Sequence, residues 1–394
     1  MTSEIMSKTM EINDYLVKVR HHLHQYPELG MKEYETTAFI RKELSDMGIE
    51  ICSLDVKVGL VGLIKGNKAG INTVTAIRAD IDALPILEKT GLPYASKNEG
   101  IMHACGHEGH ATILLGVAKM LNSMRDQFSG TVKLIFQPGE ETLTGAKSMV
   151  DAGALENPDV DTIVALHAWP QIETGSIGVW SGPYMASADK FTFKVIGNGG
   201  HGAYPHRSKD SLLAATYAVQ ALNTIISREI DAADKVAISV CTIHGGDAFN
   251  IIPEEVVFSG TVRCHDPATR SSIKAKMERI VGGAVATFGC KYELDYSYCI
   301  PAVINHPEVI DLIRQSADQA LGAGHVLPLP SPVMGSEDFS VFLEKVPYGA
   351  FFRLGVAKQN EEEMRVHNNC FDFTDEALPV GVAILTQFVL NKNN

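Results

Sequence analysis

Residues 131–168 read TVKLIFQPGEETLTGAKSMVDAGALENPDVDTIVALHA, and this run decides the fold. TVKLIF (131–136) and TIVALHA (162–168) are short strand-like runs, and residues around 144–153 form a helical segment between them. Strands alternating with helices in this way imply a mostly parallel sheet. Such strands need cover on both faces. Chemically capable residues follow both: Glu140 and Glu141 come after Pro138-Gly139, and His167 closes the second run.

The same alternation extends outward. Ile12, Leu16, Val19 and Leu23 share one helical face that Pro27 stops, and Phe39, Ile40, Leu44 and Met47 share another, closed by Gly48. Strand-like runs at 58–64 and 73–79 precede an apolar helix at about 109–124. After Ser181-Gly182-Pro183 the pattern changes. Residues 190–196 alternate polar and apolar, followed by a helix (209–228), strands (235–243 and 255–264), a helix (267–288) and a strand (291–298). That order, βαββαβ, is the ferredoxin-like plan. Pro301 marks the return, with a helix at 306–321, a Pro- and Gly-rich loop, a strand at 350–354 and a final helix opened by Thr374 and Asp375. The expected fold is α/β: a mostly parallel-sheet domain from residues 1–185 and 300–394, with a ferredoxin-like domain, 186–299, inserted.

Bulk composition narrows the function. The 394 residues carry 34 Lys and Arg against 47 Asp and Glu, a formal charge of -13. A surface of that sign repels phosphate backbones and anionic lipid, so neither nucleic acid nor membrane is an expected partner. The N-terminal run MTSEIMSKTMEINDYL has no continuous apolar segment, and no apolar stretch approaches the ~18 residues of a membrane span. The 7 Cys are scattered and odd in number, which fits a reducing cytoplasm.

Asp80 and Asp82 end the strand TVTAIRA; Cys105, His107 and His110 lie in MHACGHEGH, which opens the apolar helix; Glu140, Glu141 and His167 end two further strands. In an open α/β sheet the site lies beyond the carboxyl ends of the strands. A lone strand-end His is usually a hydrogen-bonded structural residue. Cys105 with His107 is a stronger signal, since thiolate and imidazole two residues apart on a turn suit one borderline ion. His103, Glu108 and His110 are weaker: His110 either orients a ligand or caps the helix.

RADIDALP (78–85), MHACGHEGH (102–110), FQPGEE (136–141), ALHAWP (165–170), GGHGAYPH (199–206), NIIPEE (250–255), GTVR (260–263), GSEDFS (335–340) and HNNCFDF (367–373) occur in this order. Together they resemble the family of hippurate hydrolases, N-acyl-amino-acid amidohydrolases, bacterial carboxypeptidases and auxin-conjugate hydrolases, across nearly the whole chain. The resemblance implies two divalent ions, zinc first, with Mn, Co or Ni as alternatives, held by Cys105, His107, Glu141, His167 and His367. It implies Glu140 as general base, Asp80 as an aspartate orienting a ligand or the base, and His201 reaching the substrate, in some relatives from a partner subunit. Asn250 and Arg263 match substrate-contacting positions. The inserted domain then corresponds to a lid that also dimerises. Glu108 replaces a more usual Asp, and Asn369-Cys370 stands where Pro is common.

The implied reaction is hydrolysis of the amide of an N-acyl amino acid such as hippurate; a metallocarboxypeptidase or dipeptidase is the alternative. Two other classes fit less well. A non-catalytic binding protein would lack the base or a ligand, and a cysteine hydrolase built on Cys105 leaves the glutamate pair without a task.

Overall fold

The computed structural model describes residues 3–357 and 365–394. The chain forms two compact units: one from Met1–Gly182, Ile304–Ser331 and Asp338–Asn394, the other from Pro183–Val303 and Pro332–Glu337.

The larger unit is built on an eight-stranded sheet in the order Glu50–Ile51, Leu60–Lys65, Thr131–Gln137, Val74–Asp80, Thr162–Glu173, Gly349–Ala357, Ile177–Val179, Val326–Pro328. Its centre is parallel: Val74–Asp80 lies between Thr131–Gln137 and Thr162–Glu173, and the latter pairs with Gly349–Ala357. Flanking pairs are antiparallel. Glu50–Ile51 and Leu60–Lys65 are joined by a loop without a helix, and strands so joined run antiparallel. Thr131–Gln137 and Val74–Asp80 are buried along their whole length, as strands covered on both faces must be.

Helices Asn13–Gln25, His107–Ser123, Pro307–Leu321 and Ala377–Lys392 pack on one another. His107–Ser123 and Ala377–Lys392 are buried almost all round, so their apolar surface is central rather than amphipathic. The two- and three-residue strands and the helix Glu4–Met10 carry too few residues to leave a period, and the sequence pattern does not reveal them.

In the smaller unit four antiparallel strands run in the order Lys291–Ile300, Ala188–Ile196, Glu255–Cys264, Val236–His244. Helices Ser211–Arg228 and Pro267–Ala286 pack on this sheet and on each other, around Phe191, Phe193, Phe258, Leu222 and Met277. Asp210 and Asp266 start these helices by accepting from the backbone N–H of Leu213 (2.9 Å) and Thr269 (2.6 Å). A second small ladder pairs Gly200–His201 with Ile251–Ile252. Pro332–Glu337 joins this unit although it lies far along the chain: His265 Nε2 donates to the Val333 carbonyl (2.9 Å), and Ala186 N–H to that of Gly335 (2.9 Å). Among the described residues no helix is long and apolar enough to cross a membrane.

Candidate metal centre

Register aligns the ends of the central strands. Asp80 faces Gln137, so Asp82 and the turn Pro138-Gly139-Glu140-Glu141 leave the sheet side by side. His167 lies within Thr162–Glu173 rather than at its end, but beyond the last residue paired with Val74–Asp80. Its other neighbour is Arg353. Gly139 has φ 58, and a side chain there would strike Met31; its N–H donates to Glu33 Oε1 (2.7 Å). Gly106, at φ 92, turns the chain into helix His107–Ser123 and leaves Cys105 just before it.

Donor atoms converge in two overlapping triads. Cys105, His107 and His167 form one; Cys105, Glu141 and His367 form the other, and Glu140 lies with His107 and Glu141. Cys105 Sγ is 3.4 Å from His167 Nε2, and Glu141 Oε1 is 3.1 Å from His367 Nε2. His367 adopts φ 60, rare for a residue with a side chain, and its N–H donates to the Ala104 carbonyl (2.7 Å). That one bond lays the C-terminal segment beside Cys105.

Hydrogen bonds decide which histidines have a lone pair to give. His107 Nδ1–H donates to the carbonyl of Asp82 (3.0 Å) and to its Oδ1 (3.1 Å), which leaves Nε2 buried with no hydrogen-bond partner. His167 Nδ1–H donates to the Ala168 carbonyl (2.8 Å), and Nε2 again faces inward. His110 differs. Its Nδ1–H donates to Asp80 Oδ1 (2.6 Å) and its Nε2 accepts from Ala168 N–H (2.8 Å), so neither nitrogen remains for an ion. Glu141 Oε1 is also buried, and its neighbour is the His367 Nε2 at 3.1 Å. A thiol, two inward Nε2 atoms and a carboxylate oxygen facing the His367 ring are the donor set of a borderline divalent cation, so the residues present fit the metals implied.

Electrostatics agree. Burial pushes the Cys105 thiol well up and His167 down to about 3. Burial opposes charge on His107, yet Asp80 and Cys105 outweigh it and lift its pKa well above the ordinary value. Cys105 and His107 thus hold protons on lone pairs that a cation would take instead.

Asp80 and Asp82 have distinct surroundings. Asp80 Oδ2 accepts from Arg78 (2.6 Å), and Arg78 also donates to Gln137 Oε1 (2.7 Å) and Asp338 Oδ1 (3.1 Å). Asp82 touches the donors themselves: besides His107, its Oδ2 accepts from Glu141 N–H (3.0 Å). The sequence singled out Asp80 for orienting; Asp82, Glu33 and Asp338 went unassigned. A second acid two residues on, in RADIDALP, was the available signal for Asp82.

His201, Asn250 and Arg263 belong to the smaller unit. His201 pairs with Ile251 across the small ladder, and the Asn250 carbonyl accepts from Gly202 N–H (2.8 Å), so these two are neighbours. Arg263 stands on Glu255–Cys264 and donates to Ser336.

Comparison with known proteins agrees with this geometry. The model of Peptidase family M20/M25/M40 matches residues 76–391. An N-acetyl-L-cysteine deacetylase of Bacillus subtilis is 40% identical over 340 residues, 86% of this chain and 80% of its own. Thermostable carboxypeptidase 1 of Saccharolobus solfataricus is 36% identical over 388 residues, 97% and 96% of the two chains. The crystal structure of a dinuclear metal-binding M20 peptidase from Bacillus subtilis superposes with a TM-score of 0.84 at 33% identity, covering 98% of this chain and 99% of that one. The ordered motifs, the parallel-centred sheet and the convergent donors therefore have one common explanation: the chain belongs to peptidase family M20/M25/M40.

Proposed function

We propose that this protein is a metal-dependent amidohydrolase that splits N-acyl amino acids into a carboxylic acid and an amino acid, with Cys105, His107, Glu141, His167 and His367 holding two divalent ions. The observation that carries the reading is the pair of donor triads sharing Cys105, with the Glu140 carboxylate beside them. Bound cations supply Lewis acidity, lowering the pKa of water towards ~7 and polarising the acyl carbonyl.

The chain's own residues do the rest. Glu140, buried but not needed as a ligand, takes the proton of the attacking water and returns it to the departing amine nitrogen. Two adjacent glutamates divide the work, Glu141 binding and Glu140 moving the proton. Asp82 holds the His107 ring and the Glu141 backbone so that their donor atoms aim at one point. His201 donates to the developing oxyanion, and Arg263 and Asn250 grip the free carboxylate and amide of the substrate. The unit carrying them serves as lid and as dimer interface. Leu212, Leu213 and Tyr217 are exposed along helix Ser211–Arg228, and the edge strand Val236–His244 offers free backbone groups for pairing with a second copy. Zinc suits the Cys, His and Glu donors first, with Mn, Co or Ni as substitutes, and the setting is cytoplasmic.

The carboxypeptidase relative favours a second reading, peptide cleavage, because a peptide also presents an amide next to a free carboxylate. Metal-stripped protein restored with each single ion, then assayed on hippurate, N-acetyl amino acids and dipeptides, separates the two. Faster turnover of acyl amino acids supports the first reading. Activity that survives full chelation overturns both.

A further inference from the structure

Helix Asn13–Gln25 buries Leu16, Val19 and Leu23 as a core helix should, and buries two basic side chains beside them. Arg20 and His24 are both 0% exposed. Arg20 donates to Asp372 Oδ1 (2.9 Å) and to the Phe373 carbonyl, and its Nε lies 3.1 Å from Asp375 Oδ1. His24 Nδ1–H donates to Glu108 Oε1 (2.8 Å), while Nε2 faces Glu88 Oε1 at 3.4 Å. Two of these contacts end next to proposed metal donors. Glu108 follows His107 in the first turn of its helix. The Asp372–Asp375 segment follows His367 and lays the Phe373 ring against Gly106 and Gly109, on both sides of His107.

Resting on the metal-centre reading above, we propose that His24 and Arg20 are positioning residues for that centre. His24 fixes the turn of His107 through Glu108, and Arg20 fixes the segment that brings His367 to Cys105. Burying a guanidinium and an imidazole among carboxylates is a poor way to gain stability, since well-packed apolar side chains do at least as well. What such a network adds is direction. Its hydrogen bonds admit one placement of the helix turn and one of the C-terminal segment, and a donor atom displaced by a fraction of an ångström loses its ion.

The test exploits the two nitrogens of His24. Asparagine places an amide nitrogen near Nδ1 and keeps the bond to Glu108; glutamine places one near Nε2 and keeps only the contact with Glu88. Metal-free wild type, His24→Asn, His24→Gln and Arg20→Lys are titrated with Co2+, read at the thiolate-to-cobalt charge-transfer band, and their thermal melting is recorded alongside. Positioning through Glu108 predicts Co2+ affinity for His24→Asn within about threefold of wild type, and a loss of roughly 10–100-fold for His24→Gln, although both variants give up the imidazolium and both melt below wild type. Arg20→Lys, which keeps the charge without the fork, should lose the weaker of two Co2+ equivalents. Equal affinity for the Asn and Gln variants overturns the inference. A wild type that binds two Co2+ ions, with variants that match it, overturns this inference alone; a wild type that binds none overturns the metal-centre reading with it.

Discussion

Candidate residues in the two units live under opposite physical regimes. In the larger unit Asp80, His107 and Glu140 are buried, and His107 and Asp80 are held by hydrogen bonds to groups that are themselves fixed. In the smaller unit His201 and Asn250 are exposed, on a ladder two residues long, and His201 Nδ1 accepts from the nearby Ala203 N–H (3.0 Å). Buried networks are costly to leave half-satisfied and so hold one geometry, whereas exposed ladders are free to adjust. On the proposed function the contrast suits a division of tasks: ion placement and proton transfer need the first regime, and substrate capture followed by release suits the second.

Substitutions can break this division or sharpen it. Glu140→Gln should lower kcat by roughly 10³-fold, within the range for loss of a general base, while metal content stays at the wild-type level; activity within tenfold of wild type would remove Glu140 from the chemistry. The buried network also has a pH signature. Burial would lower the pKa of His24, but its bonds to Glu108 and Glu88 outweigh that and lift it from 6.5 to about 9. A raised histidine pKa means that the folded state binds the extra proton. The stabilisation is therefore complete below about 6.5 and fades as pH rises through about 9, a loss on the order of 3 kcal/mol. Denaturant unfolding of metal-free protein from pH 6 to pH 10 measures it, and His24→Leu should flatten the slope.

On the exposed side, His201→Ala should cost roughly 10²-fold in kcat/KM with Co2+ affinity unchanged, as expected for one lost oxyanion donor. A loss of metal instead would erase the division between the units. Asp82→Asn should do the reverse. It weakens metal binding by roughly 10–100-fold, and saturating metal restores most of the turnover.

Much of this was legible in the sequence, and unevenly so. Runs such as TVKLIF and TIVALHA announce strands because every residue must fit a covered, pleated position, and a residue just past such a run is placed by the sheet itself. Glu140 and Glu141 follow that rule. His167 follows it only in part, because Thr162–Glu173 continues past it while its pairing with Val74–Asp80 stops earlier. His367 follows no such rule. Its place depends on a backbone bond to Ala104 and a left-handed φ, neither of which a local pattern encodes. The roles of neighbouring acids were equally hidden. Asp80 and Asp82 share the same strand parity and differ only in that the strand ends at Asp80, yet one meets His110 and Arg78 and the other His107 and Glu141. The outermost strands of the sheet, two and three residues long, leave no period to read, and the antiparallel direction of Leu60–Lys65 against Thr131–Gln137 is set by pairing, which a local pattern does not encode.

The central claim is that two triads share Cys105 and hold two ions, one of them through His367. Metal analysis of purified wild type and His367→Ala, after equilibration with limiting Zn2+, tests it most directly. Two ions per chain in the wild type and one in the variant is the expected result. Equal stoichiometry in both proteins would contradict the claim.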